Sequence, residues 1–159
     1  RETLQAYEYL CHIEEAKEWI EAILEIDMGP TTQVETELKN GVYLAKLAKS
    51  FEPNIVKKIF EAPNLQYRHT DNIYFFLAFL RKIGLPEVFY FETIDLYESK
   101  NMPRVIYCIH ALGHYLFDKG QAPALRNLLG KIDFTSDELD EKQRQLDEAG
   151  TLLPEFSTV

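Results

Sequence analysis

Ile73-Tyr74-Phe75-Phe76-Leu77-Ala78-Phe79-Leu80 is the longest clean apolar run in the chain. Thr70 or Asp71 before it is a good N-cap. Arg81 and Lys82 after it place cations where a helix dipole favours them. Gly84 then closes the element, and Pro86 prevents its continuation. These signals predict a helix over about 72–83, apolar nearly all round. A helix of that kind sits in the centre of a core. Eight residues fall far short of the roughly 20 needed to span a membrane.

Working outward, Pro103 suits the first turn of a second apolar helix running to about Phe117 and stopping before Gly120. Val105, Cys108, Ile109, Leu112, Tyr115 and Leu116 cover most of its sides. A short helical turn is expected around Thr93–Ser99. Upstream, a helix from about Glu8 or His12 to Ile26 carries Ile13, Ala16, Trp19, Ile20, Ile23 and Leu24 on one arc. Glu14, Glu18, Glu21 and Glu25 form a stripe on the other. Met28-Gly29-Pro30 is expected to end it. Thr32-Gln33-Val34-Glu35 has the form of a capping box opening a short helix. After Asn40-Gly41 another helix runs to Phe51, with Leu44, Leu47, Ala48 and Phe51 inward and Lys46 and Lys49 outward. Residues 53–68 read mostly as loop. The tail from about Ser136 to Ala149 is an acidic helix with Leu139 and Leu146 seven apart. Two oily helices wrapped by amphipathic ones make an all-α globular fold of four main helices, short connecting helices and a C-terminal helical extension. The expected division is a domain over 1–130 and an acidic extension over 131–159 packed on or flanking it.

The 159 residues suit one domain, and 46% hydrophobic residues suffice for a core. Aromatics are abundant, with ten Phe and nine Tyr beside the single Trp, so they should supply much of that core. Trp19, on the apolar arc, reads as a core residue. The net charge of −9 is uneven. Residues 1–33 carry two bases against eight acids, and 131–159 three against eight, which leaves 34–130 at +2. A chain of this sign lacks the footprint of a nucleic-acid binder. Its middle could still present a local basic face. Two cysteines, Cys11 and Cys108, are too few for a disulfide framework and read as reduced, semi-buried thiols. The acidic first thirty residues resemble no signal or transit peptide. Beginning at Arg1 without Met, the chain reads as a piece of a longer protein.

The chemistry-bearing residues do not assemble into a catalytic pattern. Cys11 and His12 are adjacent, so a helix points them apart. No glycine elbow or phosphate loop occurs. His110 and His114 are four apart, as zinc ligands can be, but lack the intervening Glu of a metalloprotease motif and an evident third ligand. With Tyr107 they read as a hydrogen-bonded polar stripe. Neither an enzyme nor a cofactor or metal site is expected.

The order of four blocks resembles a single-copy calponin-homology domain over about residues 12–118. They are Trp19 in the first amphipathic helix, Leu38-Lys39-Asn40-Gly41-Val42-Tyr43-Leu44-Ala45-Lys46-Leu47, the aromatic helix after Thr70-Asp71-Asn72, and Phe91 through Met102 leading into Val105-Ile106. More narrowly, four further segments resemble the N-terminal domain of the IQGAP family. They are Tyr7-Glu8-Tyr9-Leu10-Cys11-His12, Tyr67-Arg68-His69-Thr70-Asp71-Asn72, Lys100-Asn101-Met102-Pro103-Arg104, and Gly130-Lys131-Ile132-Asp133-Phe134-Thr135. The resemblance implies the calponin-homology fold and F-actin binding. The parent would be a cytoplasmic cytoskeletal scaffold, in fungi one serving the cytokinetic ring, whose other parts engage calmodulin or calmodulin-like light chains and a GTPase.

A cationic group is the candidate contact with the acidic filament: Lys46, Lys49, Lys57, Lys58, Arg81 and Lys82. The acidic stripe of the first helix is expected to face water or a basic partner. An alternative expectation is a protein–protein adaptor or autoregulatory domain, with calmodulin-type contacts as a lesser variant. The isolated domain is expected to be a monomer without membrane insertion.

Overall fold

The computed structural model describes residues 2–159, with side chains from residue 4 onward. Seven α-helices follow one another: α1 (Glu2–Leu24), α2 (Val34–Leu38), α3 (Val42–Phe51), α4 (His69–Ile83), α5 (Thr93–Tyr97), α6 (Met102–Asp118) and α7 (Ser136–Ala149). Short 3₁₀ stretches stand at Thr31–Gln33, Pro63–Arg68 (kinked at Leu65), Glu87–Phe89 and Phe156–Thr158, and the described residues contain no strand.

The core forms where α1, α3, α4 and α6 present their apolar faces to one another. Helices α3 and α4 run parallel. Gly41, ahead of α3, backs onto Asn72 and Ile73, while Phe51 at its end stacks on Phe79 with ring centroids 5.9 Å apart. Gly41 has φ 74°, and a Cβ there would lie 2.8 Å from the Asn72 Cβ and 2.9 Å from the Ile73 Cγ1. Only glycine fits that crossing. In α6, nearly every residue from Met102 to Gly113 is buried, as its all-round apolar sequence requires. Asn101 caps it by accepting from the Arg104 N–H, with Pro103 in the first turn. Trp19 is 2% exposed and donates its indole N–H to the Pro123 carbonyl at 2.9 Å. It tethers the link between α6 and α7 to α1.

Helix α7 lies along α1. Its capping box, Thr135 with Glu138, is complete. Its polar sequence nevertheless sends two side chains inward. Lys142 and Gln143 are buried, and the Lys142 ammonium reaches the Glu35 carboxylate, which also accepts from the Tyr9 hydroxyl at 2.6 Å. Tyr7 secures the approach to α7 by accepting from the Gly130 N–H and donating to the Ile132 carbonyl. The final residues return over α1 and α6, where the Phe156 ring stacks on His12.

Several sequence expectations change. Helix α1 ends at Leu24, ahead of Met28-Gly29-Pro30, because Glu25 adopts the left-handed conformation (φ 56°) and its N–H bonds the Glu21 carbonyl. The carboxylates of Glu21 and Glu37 then hold the N–H groups of Met28 and Gly29. The Thr32–Glu35 capping box does not form. Glu35 is engaged by Tyr9 and Lys142, and Thr31–Gln33 is a 3₁₀ turn without a side-chain cap. Helix α4 begins at His69, without a Thr70 or Asp71 cap. The turn Pro63–Arg68 runs straight into it, and Asp71 instead pairs with Arg68. The α4 surface is also not covered on every side, since Tyr74 is 62% exposed.

Candidate functional site

Helix α3 buries Leu44, Leu47 and Ala48, which turns Lys46 and Lys49 outward. Lys46 lies 3.7 Å from the Glu61 carboxylate, and Lys49 is exposed in the last turn. The segment after α3 crosses back toward the start of α4. Asn72, fully buried, holds it there by accepting from the Phe60 N–H and donating to the Phe60 and Asn40 carbonyls, each at 2.9 Å. Lys57 and Lys58 are exposed on this pinned segment. The Lys58 ammonium and the Arg68 guanidinium both lie over the Phe60 ring, 5.5 and 4.8 Å from its centroid. These are cation–π distances. Arg81 lies over the Tyr90 ring at 5.7 Å, and Lys82 beside it in sequence is exposed.

The six cations predicted from sequence therefore do not form one cluster. Lys58 joins Arg68 around Phe60 at the N-terminal end of α4, with Lys57 next to it in sequence. Arg81 and Lys82 mark the other end, nine to ten residues beyond Asn72, or about 14 Å at 1.5 Å per residue. None is sealed beneath the C-terminal segment. Among the described residues, Lys49, Lys57, Lys58, Arg81 and Lys82 have no carboxylate within 4.0 Å.

Sequence reading missed two exposed aromatics beside these cations. Tyr67 is 75% exposed and Tyr74 62%. Tyr74, Ala78 and Arg81 share one side of α4, and Tyr67 stands in the 3₁₀ turn that leads into it. A tyrosine offers a large, stiff, amphipathic surface, the type that anchors interfaces. The detectable signal was the i, i+7 spacing of Tyr74 and Arg81, which puts both on one face of α4.

The acidic stripe of α1 does not stand free in water. Glu14 accepts from the Thr31 hydroxyl at 2.5 Å and lies 3.6 Å from Lys17; burial pushes its carboxyl above the usual range. Glu18 pairs with Arg126 at 2.8 Å, and Glu21 is occupied by the Met28 N–H. Glu25 alone of the four is exposed. The links after α1 and α6 supply the partners that helical periodicity cannot reveal.

The thiols are fully buried, not half-buried. Burial pushes Cys108 up to about 12, and also raises Cys11, whose Sγ lies 3.9 Å from the Leu128 carbonyl. Both are protonated near neutral pH and shut off from a substrate. His110 and His114 do not converge, since His114 is exposed while His110 is buried against the His12 carbonyl at 2.9 Å.

The model of the calponin homology (CH) domain matches residues 10–118. The crystal structure of the calponin-homology domain of Rng2 from Schizosaccharomyces pombe superposes with a TM-score of 0.95 at 48% identity, covering all of both chains. This chain belongs to the calponin-homology domains, in their IQGAP branch. The domain is 50% identical over 163 residues to the Ras GTPase-activating-like protein IQGAP2 of Homo sapiens, covering 97% of this chain. It is 48% identical over 159 residues to the Ras GTPase-activating-like protein rng2 of Schizosaccharomyces pombe, covering 100% of this chain. It spans about a tenth of the length of either relative, 10% and 11%. The Rng2 domain matched along its whole length includes a counterpart of α7, so the calponin-homology domain and its C-terminal helix occur together in both.

Proposed function

We propose that this calponin-homology domain is an F-actin-binding module of a cytoplasmic cytoskeletal scaffold, and that it binds without catalysing a reaction. The observation that carries the reading is the outer side of α4. Exposed Tyr74 lies midway along α4 and exposed Tyr67 in the 3₁₀ turn ahead of it, beside cations of which Lys57, Lys58, Arg81 and Lys82 have no carboxylate within 4.0 Å among the described residues, while Arg68 pairs with Asp71. Lys57, Lys58 and Arg68 stand at one end and Arg81 and Lys82 at the other, with Lys46 and Lys49 on neighbouring α3. Cations of this kind steer and orient docking onto an acidic filament, while the tyrosines supply desolvated contact area. The domain acts as a monomer. In a longer parent, cytokinetic-ring assembly and contacts with calmodulin or calmodulin-like light chains belong to other segments.

The test is filament cosedimentation of paired variants. Lys57→Glu with Lys58→Glu should weaken binding severalfold or more. Tyr67→Ala with Tyr74→Ala should do the same while leaving the charge unaltered. All four positions are exposed, so stability should move by no more than about 0.5 kcal/mol per site. Unchanged affinity in both pairs would show that the contact lies on another face.

A further inference from the structure

His12, Glu15 and His110 come together under the C-terminal segment. We infer that the His12 Nδ1, Glu15 Oε1 and His110 Nε2 atoms form a binding site for a divalent cation of the zinc type. The i, i+3 spacing of His12 and Glu15 puts both on one side of α1, and α6 brings His110 against them. The His12 Nδ1 lies 2.9 Å from the Glu15 Oε1, which lies 3.7 Å from the His110 Nε2. All three atoms fall within 4.8 Å of one another. Ligands around a tetrahedral zinc at ~2.0–2.2 Å are separated by about 3.3–3.5 Å, so these atoms need to move by roughly an ångström or less. Two imidazole nitrogens with one carboxylate is also a donor set that suits zinc better than magnesium or calcium.

No lysine or arginine stands at this position among the described residues: the Glu15 side chain is 4% exposed, and none lies within 4.0 Å of it. Its second oxygen accepts only the Leu128 N–H, at 2.8 Å. A buried carboxylate without a lysine or arginine partner is costly, and a divalent cation would supply positive charge there. A cavity of about 670 Å³ reaches all three residues and gives an ion a way in. Without metal, the His110 Nε2–H donates to the His12 carbonyl. Ligation requires the other tautomer, with the proton on Nδ1, and gives up that one neutral hydrogen bond. The bound ion would clasp α1 to α6 beneath the Phe156 ring, with a fourth position left for water. The histidine spacing in the sequence drew attention to His110 with His114; the structure replaces His114 by a residue nearly a hundred positions away.

Zinc titrated calorimetrically into the metal-free 159-residue chain should bind one equivalent. His12 is the least buried ligand, and His12→Gln should weaken uptake at least tenfold, or about 1.4 kcal/mol. His114→Gln should leave it unchanged. Replacing Glu15 or His110 changes stability together with any metal uptake, so the second measurement uses the unaltered chain. With cobalt(II) in place of zinc, the imidazole proton resonances of His12 and His110 should shift or broaden before those of His69 and His114. Absence of stoichiometric uptake would overturn the inference. So would uptake that His114→Gln removes and His12→Gln spares, or cobalt effects confined to His69 and His114.

Discussion

Asn72 exchanges two hydrogen bonds with the backbone of Phe60, accepting from its N–H and donating to its carbonyl at 2.9 Å each. Its second amide proton goes to the Asn40 carbonyl. One side chain on α4 thus ties down the approach to α3 and the segment bearing Lys57 and Lys58. Asn72→Ala would leave buried backbone groups without partners, at about 1–3 kcal/mol for an unsatisfied group. We expect a loss of about 2–4 kcal/mol in urea denaturation. Filament affinity should fall as well, because the cations on the freed segment must then be ordered on binding. Stability unchanged to within half a kilocalorie would mean that the segment is held by its apolar contacts alone.

The Lys142–Glu35 pair makes α7 part of the folded unit. Both side chains are shielded, at 6% and 16% exposed. Lys142→Ala leaves Glu35 with the Tyr9 hydroxyl as its remaining side-chain donor. Breaking such a pair should cost about 2–4 kcal/mol, somewhat below a fully isolated buried charge. The denaturation midpoint of Lys142→Ala compared with Lys131→Ala, whose lysine is exposed, isolates this contribution.

Two core positions probe the packing around the central helices. Trp19→Ala removes the indole and its bond to Pro123, and should cost about 3–5 kcal/mol. Gly41→Ala adds one methyl group, but places it against Asn72 and Ile73 in a left-handed conformation. About 2–4 kcal/mol is expected from strain and overpacking together. Thermal unfolding of the two variants should show losses of similar size, despite opposite changes in side-chain volume.

Acid should weaken the fold through His110. Burial, the largest influence, lowers it from 6.5 to about 4, opposed by the His12 carbonyl and Glu15 and assisted by His12 and His114. Between those two values the unfolded chain binds more protons than the folded one. Stability therefore falls as pH drops from about 6.5 toward 4, by up to ~3 kcal/mol from this residue. His110→Gln keeps a donor near the His12 carbonyl and removes the titration. Urea midpoints measured from pH 7 to 4.5 should decline less steeply in the variant than in the natural sequence.

Much of the architecture was legible because it depends on local periodicity. The oily octapeptide of α4, the apolar sides of α6 and the inward arc of α1 all fold as their spacing requires. Contacts between distant segments were not legible. Nothing in Lys142 or Gln143 marks them as buried, since their helix is predominantly polar and only its docking on α1 shields them. Glu35 looked like a capping residue until Tyr9 and Lys142 reached it from elsewhere. The candidate surface was half visible: the cations stand out by type and exposure, whereas Tyr74 was absorbed into an aromatic run that suggested burial and Tyr67 into a stretch read mostly as loop. Which side of an oily helix remains uncovered depends on its neighbours, and periodicity does not report them.

The most direct test is cosedimentation of the unaltered domain with actin filaments across ionic strength. Attraction between exposed cations and an acidic filament is screened over about 8 Å at physiological salt. The account predicts saturable pelleting with modest affinity that weakens steadily as salt rises, and a shallower salt dependence in Lys57→Glu with Lys58→Glu. Absence of pelleting at tens of micromolar near physiological salt would contradict it, as would binding indifferent to salt.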